Sequence, residues 1–560
     1  MKLRKFIILT IFPILTASFS FAGANDKGIE YYRADLYDAA KLFFLKQTNL
    51  SPLEQAENYY FLGITYFQLN QRDSASYYYQ KAIEVLPTYP FGYVGEGKMQ
   101  LISGNKKVAE ELFKKASNFA KKDPSVQVAI AEVYLELGDF TNAHIALGKA
   151  KNINSKFSGI YIVEGDIFMK QGKEGEAASC YSNALYFNSS DKLAYLKLAK
   201  IYQNINANVA LNNLEKLIKI DPDYIPAYAT IADIHRDARN YKKALDALEK
   251  FISIPGVPML QHEYYAQLLY FTDQFEKADN QIKYVLSKDP DNLVMKRIEA
   301  YNSFGMEKYD VGLAQMKKFL EVMPEERHIF LDYTTLAQLA YKEKQNQLAL
   351  DAFKKALEID TSKYELYKEM GAIAASLKLY QEAIEYYEKY IASSQAPDAL
   401  DFLNLGNANQ SAAAFYIDAA NIASVKTPEE FEKFENEFKR FVQRGDRAFM
   451  EVVRKRPEFH YGYVKRANIT SYLDAFDNSH KRKVIGHAKQ LYEEALEFLE
   501  KNNPDGARNS DILTALNYLL EYYITVEDKT NMAEYSRKIL QIDAQNERAK
   551  KVLEFLKLKR

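Results

Sequence analysis

The sequence predicts an all-α chain, a solenoid of about 13–14 antiparallel helix pairs, and three observations carry that reading. Ala75, Ala109, Ala143 and Ala177 lie 34 residues apart, and Ala210, Ala244, Ala278, Gly312, Ala349 and Ala383 continue the series with small slips. A second set of small residues keeps step with the first: Gly63, Gly97, Ala131, Gly165, Ala199, Ala232, Ala266, Ala300, Ala337, Gly371 and Gly406. Large side chains such as Tyr79, Phe113, Leu147, Tyr181 and Leu214 fall four residues after members of the first set. A small residue on one helix and a large one on its partner let two helices approach closely and fill the space beside the contact. A chain of 560 residues built this way adds its core in slices, so its length counts repeats.

Taken in order, the chain opens with a basic stretch, Met1-Lys2-Leu3-Arg4-Lys5, and then an apolar run from Phe6 to Leu15 broken by Thr10 and Pro13. Ser20-Phe21-Ala22 and Ala22-Gly23-Ala24 both offer a small-x-small cleavage site, so residues 1–22 read as a secretory signal peptide. The apolar run falls short of the ~20 residues a spanning helix needs. Gly28, Tyr31, Ala40 and Phe44 mark a partial N-terminal cap, and the regular array is expected over residues 25–420. Between Met316 and Phe353 the spacing lengthens, which points to a longer turn around Pro324 to His328.

After Gly406 the rhythm breaks, and Thr427-Pro428-Glu429-Glu430 opens a new helix with an N-cap, a proline and an acidic first turn. Residues 421–560 are expected to hold atypical repeats with insertions, one of them over Asp474 to Val484 with the basic cluster His480-Lys481-Arg482-Lys483. A capping helix from about Asn546 to Leu558 closes the chain.

The second repeat shows what kind of helix pair this is. Its order Tyr59, Leu62-Gly63, Tyr66, Ala75, Tyr79, Ala82 and Pro87 resembles the tetratricopeptide (TPR) pattern, with Tyr in place of Trp. The resemblance implies a right-handed superhelix and, as its first function, protein binding along the concave face. The residues after 420 are similar to the atypical ends of long periplasmic TPR proteins.

Composition excludes several activities. With 74 basic and 75 acidic residues the chain lacks the positive excess that nucleic-acid binding calls for. Seven histidines are scattered without an H-E-x-x-H pair, and no Gly-x-Ser-x-Gly, phosphate loop or dinucleotide fingerprint occurs. The single Cys180 can form neither an internal disulfide nor a thiolate metal cluster. No enzyme, metal or cofactor is therefore expected, and the leader places the protein outside the cytoplasm, in the periplasm if the source is Gram-negative.

The TPR resemblance also implies which side chains face the groove: those three before, one after and four after the small residue of each first helix. These positions hold Tyr60 and Phe67 near the N-terminus, then Gln267 and Tyr270, then Arg297, Tyr301 and Phe304, then Gln338 and Tyr341. Tyr and Arg are the types enriched at interaction hot spots. The clamp by which some TPR domains hold a C-terminal carboxylate is not matched: Lys368 is followed by Ala372, while Asn407 and Asn468 are preceded by Leu403 and Val464. The expected partner is a protein or an extended peptide, with an envelope assembly as one setting. A non-protein ligand such as a glycan or cell-wall peptide is the alternative, because stacked Tyr rings would serve it equally well.

Overall fold

A computed structural model describes residues 23–418, 426–475, 484–503 and 506–558; residues 1–22, expected above to be a signal peptide, the basic cluster at 480–483 and residues 419–425 lie outside them. The described residues form 29 α-helices and no strand, the all-α solenoid that the repeat spacing requires. They fall into two compact units, one ending at Met306 and one beginning at Glu307.

The first unit begins with α1 (Asp26–Arg33), α2 (Tyr37–Lys46), α3 (Pro52–Gln68), α4 (Arg72–Val85), α5 (Pro90–Ile102), α6 (Lys106–Phe119), α7 (Pro124–Glu136) and α8 (Phe140–Ile153). It continues through α9 (Ser158–Lys170), α10 (Glu174–Phe187), α11 (Lys192–Tyr202), α12 (Ala207–Ile220), α13 (Ile225–Asp237), α14 (Tyr241–Leu248), α15 (Met259–Phe271), α16 (Phe275–Lys288) and α17 (Leu293–Gly305). Each odd-numbered helix up to α15 pairs with the next. The contact is the one the sequence implies: a Cβ added at Gly63 would lie 2.4 Å from the Tyr79 ring, and one at Gly165 equally close to Tyr181. Ala75, Ala109, Ala143 and Ala177 are fully buried.

The turn inside each pair has its own period. Asn70, Gly104, Gly138 and Gly172 all have positive φ, between 61° and 81°. The following residue closes a six-residue bond back onto the helix, as from Gln71 N–H to the Tyr66 carbonyl at 2.9 Å, which is the Schellman ending of an α-helix. Arg239 and Asp273 adopt the same conformation in later pairs.

This unit closes on itself. Helix α1 touches α13, Lys27 Nζ donates to the Asp223 carbonyl at 3.3 Å, and Lys192 Nζ lies 2.7 Å from Asp221 and 4.0 Å from Glu30. Gly256 comes so near α2 that a Cβ would sit 2.7 Å from the Ala39 nitrogen. One hydrophobic core runs from Ile29 to Ile234. Helix α7 is consequently surrounded, with every residue from Pro124 to Leu135 buried, which explains why apolar side chains occur on all its sides and why Ser125, Gln127 and Glu132 are buried with them.

The second unit comprises α18 (Tyr309–Val322), a 3₁₀ turn at Glu325–Arg327, α19 (Phe330–Lys342), α20 (Asn346–Ile359), α21 (Leu366–Ser376), α22 (Tyr380–Ser393) and α23 (Ala399–Tyr416). Then follow α24 (Pro428–Lys455), α25 (His460–Ala475), α26 (Lys489–Lys501), α27 (Asn509–Thr525), α28 (Lys529–Ile542) and α29 (Glu547–Leu558). The 3₁₀ turn absorbs the extra residues between Met316 and Phe353. Thr427 caps α24 in a reciprocal box with Glu430, and Phe449 of this helix fills the space that Gly406 leaves on α23. Buried Asp474 accepts the backbone N–H groups of Ile485, Gly486 and His487 at 3.1–3.2 Å and the Tyr518 hydroxyl at 2.5 Å, so both ends of the last insertion are tied to one carboxylate. Among the described residues no helix is long and apolar enough to cross a membrane.

Candidate interaction groove

The first helices of the pairs carry the concave face, and closure of the first unit turns much of that face into an interior. Lys98 Nζ lies 2.6 Å from Glu136 Oε2 and 3.4 Å from the centre of the Phe67 ring. Lys197 Nζ lies 2.7 Å from Asp166 Oδ1, which also accepts the Tyr181 hydroxyl at 2.6 Å. Between these pairs sits Glu132, only 5% exposed. Burial and the nearby Asp166 and Glu136 carboxylates push its carboxyl well above the usual range, against the opposing pull of Lys197 and Arg33. Burial likewise lowers the Lys98 ammonium, with Glu136 opposing it. Buried charges need partners of opposite sign, and the concave positions of successive repeats supply them to one another.

Two of the expected groove residues are part of this packing or its equivalent further on. Tyr60 is 5% exposed, its ring 5.6 Å from Phe91 and 5.5 Å from Phe61. Tyr301 is 4% exposed, with Tyr270 at 6.1 Å. These rings support the wall from behind and offer no surface, because neighbouring first helices crowd the same positions. Phe67 is half-buried beneath the Lys98 ammonium.

The first unit opens from α13 onward. On α15 only Ala266, Leu268 and Leu269 are buried, in contrast to the fully enclosed α7. Gln267, Tyr270, Arg297 and Phe304 are all half-buried here. Burial raises the Tyr270 hydroxyl, with Asp273 adding to it. The Arg236 guanidinium stands 4.2 Å over the Tyr264 ring and 2.7 Å from Asp233. Arg236 is four residues after Ala232, so the register rule extended to α13 finds it; Tyr264 has no such signal, since its exposure depends on how α13 and α15 are rotated against each other. An Arg–aromatic stack of this kind is an attractive contact in its own right and a recurrent element of hot spots.

In the second unit Gln338 and Tyr341 are exposed on α19, Tyr341 to 50%. Cys180 is half-buried, and burial pushes its thiol up to about 11, so little reactive thiolate forms at neutral pH.

Comparison with known proteins agrees with the repeat type. The tetratricopeptide repeat family model matches residues 56–89, 225–256 and 333–363, that is α3–α4, α13–α14 and the region of α19–α20; the chain carries TPR repeats. It is 23% identical over 250 residues to Tetratricopeptide repeat protein 37 of Xenopus laevis, covering 42% of this chain and 16% of that protein. It is 27% identical over 162 residues to U-box domain-containing protein 70 of Oryza sativa subsp. japonica, covering 26% and 20%. The matched stretch thus spans a fifth or less of these relatives. Among solved structures, the C-terminal part of a TPR repeat-containing protein from Cytophaga hutchinsonii matches 52% of this chain and 99% of its own, with 20% identity and a TM-score of 0.36.

Proposed function

We propose that this chain is a non-catalytic scaffold that binds a protein or peptide partner through the half-open concave stretch of α13, α15 and α17. The observation that supports it is the change from an enclosed α7 to an open α15, which leaves Arg236, Tyr264, Gln267, Tyr270 and Arg297 within reach of a partner. A TPR superhelix suits this role because its first helices present a continuous wall. On the second unit, taken by itself, exposed Gln338 and Tyr341 of α19 are separate candidate contacts. Affinity capture with the full chain from an envelope extract tests the reading: one partner should be retained reproducibly and lost when Tyr264 and Gln267 are both replaced by Ala, whereas retention by the variant at unchanged strength contradicts it.

The envelope setting rests on the leader-like residues 1–22. Export through such a leader leaves a mature chain starting at Gly23 or Asn25. N-terminal sequencing of the native protein tests this, and recovery of Met1 or Lys2 at the terminus refutes it.

A further inference from the structure

On the first unit, away from the concave stretch, a cavity of 620 Å³ is bounded by α2, the loop to α3, and the faces of α3 and α4. That volume lies within the ~300–1,000 Å³ typical of small-molecule sites. Its walls differ in chemistry. One is aromatic: Tyr78 stacks on Tyr66 at 5.2 Å and 7°, and Tyr59 leans on it at 5.9 Å. Tyr77 stands edge-on to Tyr78 at 5.1 Å and is 53% exposed. Beside these rings, the loop from α2 and the start of α3 bring amides and a hydroxyl from Gln47, Thr48, Asn49, Gln55 and Asn58 into the same cavity. Gln55 already donates to the Tyr59 hydroxyl at 3.2 Å, and Asn58 donates to the Phe44 carbonyl at 3.2 Å, so both amides are held in place.

The charge on the site narrows the ligand. Lys81 and Glu84 are the only charged side chains that line it, and they pair with each other at 2.6 Å. A phosphate or other polyanion would need uncompensated positive charge, and a lipid tail would strip water from the exposed Thr48 and Asn49 side chains without replacing its hydrogen bonds. A pyranose fits both walls at once: its C–H face packs on a Tyr ring, and its hydroxyls exchange hydrogen bonds with the amides. We propose that this cavity is a binding site for a neutral oligosaccharide, with Tyr77 as the stacking platform and Gln55 as a hydroxyl partner. The site has room for a short run of sugar rings and is independent of the concave-groove reading.

The full chain is titrated with maltohexaose, xylohexaose and chitohexaose, followed by saturation-transfer NMR and calorimetry. At least one sugar should bind with a Kd of about 1 mM or tighter. Tyr77→Ala should weaken it about tenfold and Gln55→Ala several-fold, while Tyr186→Ala, at a ring 82% exposed elsewhere, should leave it unchanged. Tyr77 is exposed enough that circular dichroism should show the variant folded. Absence of binding by all three sugars at about 10 mM, or binding that Tyr77→Ala does not weaken, overturns the proposal. So does selection from a decapeptide library of a Tyr77-dependent peptide when no sugar binds. Partner capture through α15 should be unaffected by Tyr77→Ala, which keeps the two readings separable.

Discussion

Replacing Lys197 by Met probes the closed interior of the first unit directly. Lys197 and Asp166 are 7% and 9% exposed as side chains and 2.7 Å apart, and Glu132 lies in the same field. Methionine preserves most of the volume of the lysine stem, so the packing loss is small. What remains is a buried carboxylate deprived of its cation, for which breaking a buried pair costs about 3–5 kcal/mol. Because repeats couple mainly to their neighbours, the loss should appear in α7, α9, α11 and α13 as faster amide exchange, with urea unfolding of the first unit shifted accordingly. The double variant Lys197→Met with Asp166→Asn removes both charges and should recover part of the loss. A Lys197→Met cost below about 1 kcal/mol, the scale of an exposed pair, would show that water reaches this site and that the turn is not closed.

Two further perturbations follow from the same core. The Glu132 carboxyl has a folded pKa above its unfolded value, so the stability it contributes is full at acid pH and is lost as pH rises from the unfolded pKa, about 4.3, through the folded one. Glu132→Gln should therefore stabilise the first unit at neutral pH and flatten this slope, and urea titrations between pH 4 and 8 that superpose on wild type would contradict it. Gly165→Leu forces a side chain into the Tyr181 ring, where even a Cβ would be 2.4 Å away, and should cost about 1–3 kcal/mol. Hydrogen exchange should show that damage concentrated in α9 and α10, and a uniform loss of protection along all described helices would refute the quasi-one-dimensional picture.

The helix pairs were legible in the sequence because close approach demands small residues, and Gly63 opposite Tyr79 is a pattern that volume alone imposes. The left-handed turn was partly legible: Gly104, Gly138 and Gly172 announce it, Asn70 and Asp273 are types that tolerate it, but Arg239 occupies the same position without any residue-type signal. Closure of the first unit was not legible. It arises from small rotations between successive pairs, which add up until α1 meets α13, and no single residue encodes their sum. Contact between neighbouring repeats was not legible either: Tyr60, assigned to the groove wall by register within its own repeat, packs against Phe91 of the next repeat, and Tyr301 packs against Tyr270 of the preceding one. Arg236 was recoverable by the same register, whereas its stacking on Tyr264 depended on the inter-helix rotation.

The central claim, that the open stretch from α13 to α17 is the working surface, is tested by measuring partner affinity and unfolding together on two variants. Tyr264→Ala with Gln267→Ala removes half-buried side chains of α15 and should weaken capture by about 2 kcal/mol or more, roughly thirtyfold, with a small shift in Tm. Tyr301→Ala truncates a buried ring and should lower stability by about 3–5 kcal/mol. Undiminished capture by the folded α15 double variant would contradict the account.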